Sequence, residues 1–193
     1  MFLLFKKQIF YDTDCFFTFL VIDKVFILKK LFKEINIPKP AYDELILLCN
    51  DPMLKKSFND IISSGFVKII NMDIFSEEYT KYKCIKNGYW DNFKVVGKGE
   101  AAALSYAIVN DGIIASNNLS DVKSYVKKFN LTLLTSSMII AISFENQIIT
   151  EKEANSIWND MLNKKRKLPA NSFLEYYKYI FPNDSQQYLK NIS

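Results

Sequence analysis

Four short runs of strand-forming apolar residues alternate with longer helical segments along this chain. The runs are residues 8–11, 66–70, 113–116 and 131–134, and polar residues follow each of them. Strands that alternate with helices in this way favour a parallel sheet whose two faces are covered by helices. The sequence therefore predicts an α/β protein, a three-layer α/β/α sandwich with a mostly parallel central sheet.

The segments outside these runs predict helices. Residues 16–33 predict a single helix with lysines near its C-terminus, where cations interact favourably with the helix dipole. Residues 36–40 predict a break, because the residues before Pro38 and Pro40 are pushed towards extended backbone. The other predicted helices are residues 41–48, 52–64, 77–86, 100–110, 120–129 with Ser120 as N-cap, 138–144 after a cap at 135–137, 151–162 and 171–182.

A single domain accounts for all 193 residues. A chain of this length is able to bury a full hydrophobic core, and no internal repeat or linker divides it. We expect one domain over residues 1–193, with a helical C-terminal extension from about residue 166.

The chain contains no histidine, which excludes several kinds of catalytic site. Histidine general bases, serine–histidine–aspartate triads and histidine metal sites all require this residue. Hydrolytic chemistry would therefore have to use carboxylates, hydroxyls, lysines or thiols. The formal net charge of +4 is compatible with a polyanionic partner but does not require one.

The cysteines and the apolar N-terminal segment predict a cytoplasmic protein. Cys15, Cys49 and Cys84 are far apart and form no CxxC pair, which favours free thiols in a reducing compartment. Residues 16–28 are strongly apolar, but they contain two charged residues and are too short to span a membrane. We expect a buried helix there and no membrane partner.

Three acidic residues stand where this fold would bring them together. Asp12 follows the first strand, whereas Glu44 and Glu100 lie near helix starts. Right-handed crossovers in a parallel sheet bring strand ends and helix starts to one edge. Carboxylates gathered there repel one another unless a divalent cation lies between them, and Mg²⁺ or Mn²⁺ prefers oxygen ligands. The alternative is an ordinary local role, as a turn former for Asp12 and as a dipole-stabilising acid for Glu44 and Glu100.

Two glycines precede Glu100 in the segment Gly97-Lys98-Gly99. We interpret them as turn residues, because no lysine–serine pair of a phosphate-binding loop follows. A nucleotide-binding α/β protein is therefore a weaker hypothesis, since the chain lacks a convincing glycine fingerprint.

Four short motifs occur in the order typical of PIN domains. They are Tyr11-Asp12-Thr13, Ile37-Pro38 with Glu44-Leu45, Gly97-Lys98-Gly99-Glu100-Ala101 and Ile114-Ala115-Ser116-Asn117-Asn118. Over residues 8–162 the chain resembles PIN domains, and within that family it is most similar to bacterial toxin-type ribonucleases. The resemblance implies a PIN-like parallel α/β/α sandwich and a Mg²⁺- or Mn²⁺-dependent nuclease, in which metal-activated water attacks a phosphodiester of RNA.

By position, the resemblance implies a catalytic set of four residues. Asp12, Glu44 and Glu100 correspond to metal-binding acids, and Asn117 stands where the family has a fourth acid. An amide oxygen can coordinate Mg²⁺ but carries no charge, so Asp121, one helical turn further on, is the expected substitute ligand. Thr13, Ser116 and Asn118 are the candidate substrate-binding residues, for which a local cap or turn is the alternative.

The resemblance implies a metal-dependent endoribonuclease with RNA as its partner. If the protein is the toxin of a toxin–antitoxin pair, a small antitoxin-type protein is a second partner. The alternative function is a non-catalytic PIN-like module that binds nucleic acid or protein, which Asn117 and the modest net charge favour. The basic run at residues 164–167 either follows a nucleic-acid backbone or forms a solvated face, and a homodimer is left open.

Overall fold

A five-stranded parallel sheet forms the centre of the computed structural model, which describes residues 5–89 and 93–189. The strands are β1 (Ile9–Tyr11), β2 (Ile35–Pro38), β3 (Val67–Ile70), β4 (Ile113–Ala115) and β5 (Thr132–Leu134). They lie in the order β3-β2-β1-β4-β5, and every neighbouring pair is parallel. Helices cover the sheet, so the predicted three-layer α/β/α fold is confirmed.

Eleven helices occur in the described residues. They are α1 (Thr13–Val21), α2 (Val25–Leu31), α3 (Lys39–Leu48), α4 (Pro52–Ser63), α5 (Glu77–Lys86), α6 (Lys98–Val109), α7 (Leu119–Phe129), α8 (Ser136–Glu145), α9 (Glu151–Asn163), α10 (Phe173–Tyr179) and α11 (Phe181–Tyr188). Side-chain caps explain several starts, since Ser76 and Thr135 each accept a backbone N–H of the first turn. A reciprocal capping box between Thr150 and Glu153 begins α9.

The direction in which successive strands are added to the sheet reverses between β3 and β4. From β1 it moves outward through β2 to β3, and it then returns to the other side of β1 as β4. The carboxyl ends of β1 and β4 are therefore a topological switch point, where open α/β sheets bind ligands. The register pairs Tyr11 with Ala115, so the residues that follow them, Asp12 and Ser116, are neighbours at this edge.

Two predictions for the N-terminal third are wrong. Residues 16–33 form two helices, because Asp23 between them has a φ of +54°, which a continuous right-handed helix does not allow. Residues 36–40 contain most of β2 and the start of α3 instead of a break. Pro38 ends the strand with extended backbone, and Pro40 lies in the first turn of α3, where its missing N–H removes no helical hydrogen bond.

Two helix boundaries also differ from the prediction. Asn118 is the N-cap of α7 in place of Ser120, whose hydroxyl instead has the side-chain oxygens of Asn118 and Asp121 as alternative acceptors. Residues 171–182 contain α10 and the start of α11 instead of one helix. Pro182 lies in the first turn of α11, a position that proline favours, so it begins a helix where the sequence predicted an end.

One hydrophobic core joins the strands to the helices. The strands β1, β4 and β5 are buried along their whole length. The same cluster extends into the C-terminal helices through Trp158, Phe173 and Tyr176, all of which are fully buried. Removing an apolar side chain of this kind from water contributes roughly 1.5–3 kcal/mol to stability.

The cysteines are free thiols, as predicted. Cys15 and Cys49 are buried and Cys84 is half-buried. The apolar residues 16–28 form most of α1, the turn after it and the start of α2, and the buried side chains of both helices belong to the core. Among the helices of the described ranges, none has both the length and the apolar character needed to cross a membrane.

Candidate active site

Asp12 lies at the switch point and is held by β4 and by α1. Its N–H donates to the Ala115 carbonyl oxygen over 3.0 Å. It is the N-cap of α1, and its Oδ1 accepts a hydrogen bond of 2.8 Å from the Cys15 N–H. The residue is only 4% exposed. Its carboxylate is therefore oriented by one backbone donor but largely removed from water.

Glu100 approaches Asp12 from the first turn of α6, and Ser116 links the two acids. Ser116 is fully buried directly after β4, and its Oγ donates to Glu100 Oε1 over 3.3 Å. The same hydroxyl also acts on Asp12, whose pKa it lowers against the larger effect of burial. Since a hydroxyl carries one proton, it donates to only one carboxylate at a time. Ser116 therefore cannot compensate both negative charges.

Burial is the main reason that both acids hold protons more tightly than usual. It raises the pKa of Asp12 to about 7, and the charges of Asp14 and Glu44 act in the same direction. It raises the pKa of Glu100 to about 8, and the charge of Asp12 adds to this rise. A carboxylate taken out of water is unfavourable unless a counter-charge is near. Near neutral pH the pair therefore either keeps a proton or takes up a cation.

Glu44 reaches the same edge from α3, where both of its carboxylate oxygens are hydrogen bonded. The Thr13 hydroxyl donates to Oε2 over 2.7 Å, and the Gly99 N–H donates to Oε1 over 3.0 Å. These bonds join α3 to the first turns of α1 and α6. In the structure the Thr13 hydroxyl and the Glu44 carboxylate bind each other. Metal binding by Glu44 and substrate binding by Thr13 stay predictions.

Gly99 is not a turn residue, contrary to the prediction. It lies within the first turn of α6, where a Cβ atom would be 2.6 Å from Thr13 Oγ1 and 2.9 Å from Glu44 Oε2. The missing side chain therefore allows the helix to approach Glu44 closely. Gly97, the N-cap of α6, has open space where a Cβ atom would stand.

Asn117 is bonded to α1 and α8 at the end of β4. Its Oδ1 accepts a hydrogen bond of 2.8 Å from the Ser136 N–H, and its Nδ2 donates to Asp14 Oδ2 over 3.2 Å. The amide oxygen that a metal would use is therefore already engaged by the backbone. Asp14 is also bound by Arg166, whose Nη1 lies 2.9 Å from Oδ1.

Asp121 forms an ion pair beside the acids. Lys94 Nζ is 3.0 Å from its Oδ1, and Asn118 Nδ2 donates to its Oδ2 over 2.7 Å. The hydrogen bond from Lys94 lowers the pKa of Asp121. The charge of Asp121 nevertheless contributes to the raised pKa of Glu100. Asp121 therefore belongs to the electrostatic surroundings of the pair.

The acids at this edge are oxygen donors of the kind that Mg²⁺ and Mn²⁺ prefer. Among residues 5–89 and 93–189, no group of three or more acidic or cysteine side chains is arranged as a metal-ligand set. Mg²⁺ is commonly bound by one or two carboxylates, with water and substrate phosphates as its other ligands. Asp12 and Glu100 are oxygen donors of this kind whose charges lack full compensation, and Glu44 adds negative potential.

Sequence reasoning did not assign partners to two basic residues at this edge, Lys94 and Arg166. Arg166 and Asp14 are 152 residues apart in the chain, and Lys94 and Asp121 are 27 residues apart. No local pattern reports contacts over such separations. The basic run at residues 164–167 was the one signal for Arg166. It indicated a positively charged segment but not that this segment lies beside α1.

No protein-family model matches this chain, and no curated protein matches it significantly. The resemblance to PIN domains therefore rests on the four sequence motifs alone. At the carboxyl ends of β1 and β4, the contacts and charges of the described residues define the candidate site independently of that resemblance.

Proposed function

We propose that this protein is a metal-dependent endoribonuclease in which Asp12 and Glu100 hold a Mg²⁺ or Mn²⁺ ion. The observation that carries the proposal is the pair of desolvated carboxylates that share Ser116 at the switch point of the sheet. Such a pair opposes folding when it has no counter-charge. Acids with pKa values shifted by burial and by one another are typical of functional sites.

The residues at this edge have separate roles in the proposed reaction. A bound ion would act as a Lewis acid towards the phosphodiester and would lower the pKa of a water molecule. Asp12 and Glu100 would bind it through their carboxylate oxygens, and hydrogen bonds from the Cys15 N–H and the Ser116 hydroxyl orient Asp12 and Glu100, respectively. Hydrolysis joins the water oxygen to phosphorus and breaks one bond from phosphorus to a sugar oxygen. One water proton goes to that sugar oxygen and the other to solvent.

Glu44 is a positioning residue in this proposal. Its bonds to Thr13 and Gly99 hold the first turns of α1 and α6 together, and these turns follow Asp12 and carry Glu100. Its negative charge also raises the pKa of both acids, which favours cation binding at the pair.

Cleavage of a mixed pool of single-stranded RNA in the presence of Mn²⁺ tests the proposal. We expect cleavage that EDTA abolishes and that falls at least about a hundredfold in Asp12→Asn and in Glu100→Gln, because each removes a proposed ligand. Asp111→Asn is the matched control, since Asp111 is 84% exposed at the opposite end of β4. Equal cleavage by the wild type and Asp12→Asn would show that the proposed mechanism is wrong.

A non-catalytic module that binds RNA or a small antitoxin-type protein is the second candidate, and Asn117 favours it. At the position where the resemblance implies a fourth acid, this chain has an amide whose oxygen is engaged by the Ser136 N–H. One fewer negative charge weakens the attraction of the site for a divalent cation. RNA binding without cleavage, combined with no Mn²⁺ binding at millimolar concentration, would favour this candidate.

A further inference from the structure

A basic pocket of about 410 Å³ lies beside the carboxylate pair. Its lining comes from α1, from the residues after β4 and from the turn after α9, and consists of Asp14, Asn117, Asn118, Lys165, Arg166 and Lys167. Three of these residues are cations and one is an acid, so the pocket has an excess of positive charge. Its volume is in the range of small-ligand sites.

The turn after α9 determines where the cations lie. Lys165 has a left-handed φ of +56°, directly after the C-cap of the helix. Its N–H donates to the Leu162 carbonyl oxygen over 2.8 Å, and the Arg166 N–H donates to the Met161 carbonyl oxygen over 2.9 Å. These two bonds form a Schellman motif, which gives the chain a defined direction as it leaves the helix.

The side chain of Arg166 is held against α1. Its guanidinium lies over the Phe17 ring, 5.5 Å from the centroid, and Nη1 donates to Asp14 over 2.9 Å. Nε donates to the Lys164 carbonyl oxygen over 3.2 Å. A guanidinium has five N–H groups, and among the described residues the bonds of Arg166 use only Nε and Nη1, so Nη2 can donate to an anion in the pocket.

Lys165 and Lys167 add two exposed ammonium groups to the pocket. Neither forms an ion pair within the part of the chain that the structure describes. Their charges are therefore not offset by acids, whereas that of Arg166 is shared with Asp14. Guanidinium and ammonium groups in this arrangement match the oxygens of a phosphate, to which they donate charge-assisted hydrogen bonds.

The basic pocket borders the carboxylate pair through the segment after β4. The Asn118 N–H donates to Ser116 Oγ over 3.2 Å, and Ser116 in turn donates to Glu100. On α1, Asp14 in the pocket follows Asp12 by two residues. If a chain-like ligand has one charged group at the acids, its neighbouring charged group would therefore lie at the basic pocket.

We infer that the basic pocket binds a phosphate of a single-stranded RNA, next to the phosphate that is cleaved at the carboxylate pair. This inference rests on the proposed nuclease function, because that function brings one phosphate to the acids. An RNA strand carries a phosphate at every nucleotide, so its neighbouring phosphate is available to the cations. Positively charged surfaces follow single strands through their backbones in this way.

RNA binding in EDTA tests the inference separately from cleavage. A fluorescein-labelled single-stranded RNA of about ten nucleotides is titrated by anisotropy at several KCl concentrations. The proteins are the wild type, the double variant Lys165→Gln/Lys167→Gln and the control Lys152→Gln. Lys152 is an exposed lysine in the first turn of α9, at the opposite end of that helix from the pocket.

We expect the double variant to bind RNA at least about tenfold more weakly than the wild type at low salt. The slope of log affinity against log salt should become shallower by about 0.7 for each phosphate that the variant no longer neutralises. Lys152→Gln should change neither quantity. Competition with inorganic phosphate is the second arm, and we expect it to displace the labelled RNA far less effectively than unlabelled RNA does.

Two results would overturn the inference. One is an unchanged affinity and slope in the double variant, and the other is equal displacement by inorganic phosphate and by unlabelled RNA. RNA binding that depends on the pocket, without Mn²⁺-dependent cleavage, would leave strand binding supported and refute the nuclease function. If the wild type cleaves RNA but the double variant binds RNA as tightly as the wild type does, the inference about the pocket is wrong and the nuclease function stays supported.

Discussion

The carboxyl edge of the sheet and the C-terminal helices both bury polar groups, but they compensate them differently. In the C-terminal helices, Trp158 Nε1–H donates to the Ala170 carbonyl oxygen over 3.1 Å. The Tyr176 hydroxyl donates to Asp184 over 3.0 Å. At the carboxyl edge, by contrast, the hydroxyl of Ser116 donates to Glu100 and lowers the pKa of Asp12 less than burial raises it.

The difference separates a region that stabilises the fold from a region suited to binding a cation. The Trp158 ring stacks on Tyr176 with 5.2 Å between centroids, and such pairs add roughly 0.5–1.5 kcal/mol to the effect of burial. The charges of Asp12 and Glu100 oppose folding unless a proton or a cation is present. Substitutions in the two regions should therefore change stability in opposite directions.

Trp158→Ala should have the largest destabilising effect. We expect the free energy of unfolding to fall by about 3–5 kcal/mol, because the substitution leaves a cavity in the aromatic cluster and removes the hydrogen bond to Ala170. Urea unfolding measures this change. The matched control is Tyr179→Ala in α10, where the side chain is 73% exposed and a change within about 0.5 kcal/mol is expected. Equal effects of the two substitutions would show that the aromatic cluster of the C-terminal helices does not stabilise the fold.

The double variant Asp12→Asn/Glu100→Gln should stabilise the metal-free protein at high pH. We expect a gain of at least about 4 kcal/mol at about pH 8, which is what the raised pKa of either acid alone corresponds to, and little change at about pH 4, measured by urea unfolding in EDTA. The gain arises because neutral amides replace carboxylates that burial disfavours in the charged form. An asparagine at position 12 also keeps a side-chain oxygen for capping α1.

The sign follows from the proton affinities of the two acids. In the folded protein their pKa values are about 7 and about 8, above the ordinary values of 3.8 and 4.5. Between those limits the folded state binds more protons than the unfolded state, so raising the pH favours unfolding. The wild type should therefore lose stability relative to the double variant from about pH 4 to about pH 8. Parallel pH curves for the two proteins would contradict this account of the edge.

Gly99→Ser should have a smaller effect, with Gly97→Ser as its control. We expect the first substitution to lower the free energy of unfolding by about 1–3 kcal/mol, because the new Cβ would press on Thr13 and Glu44. The second should be neutral or slightly stabilising, since Gly97 has open space and serine is a good N-cap. Thermal unfolding distinguishes them. The same loss at both positions would mean that the close approach of α6 to Glu44 is unimportant.

Much of the fold was predictable because its signals are local. The strands β1, β4 and β5 are short apolar runs that polar residues follow, and their alternation with helices indicates a parallel sheet. The position of Asp12 and Ser116 at one edge follows from that topology. Strand β2 was missed because its Pro38 is a signal for a break, and only pairing with β1 and β3 shows that the segment is a strand.

The parts that were not predictable depend on contacts between distant residues. The bonds from Thr13 and Gly99 to Glu44 require three helices to meet, and no spacing in the sequence reports them. The shared hydroxyl of Ser116 is likewise a property of packing. The reversal at Asp23 needs a positive φ, which aspartate adopts without the signal that a glycine would give.

Direct measurement of Mn²⁺ binding tests the central claim, which is that Asp12 and Glu100 form a divalent-cation site. Free Mn²⁺ is followed by electron paramagnetic resonance as metal-free protein is added at about pH 8, where Asp12 is largely ionised and Glu100 is about half ionised. The wild type and Asp111→Asn should bind Mn²⁺ at millimolar concentration or below, and Asp12→Asn or Glu100→Gln should weaken binding at least about tenfold. No binding by the wild type at millimolar Mn²⁺, or equal binding by all four proteins, would contradict the claim.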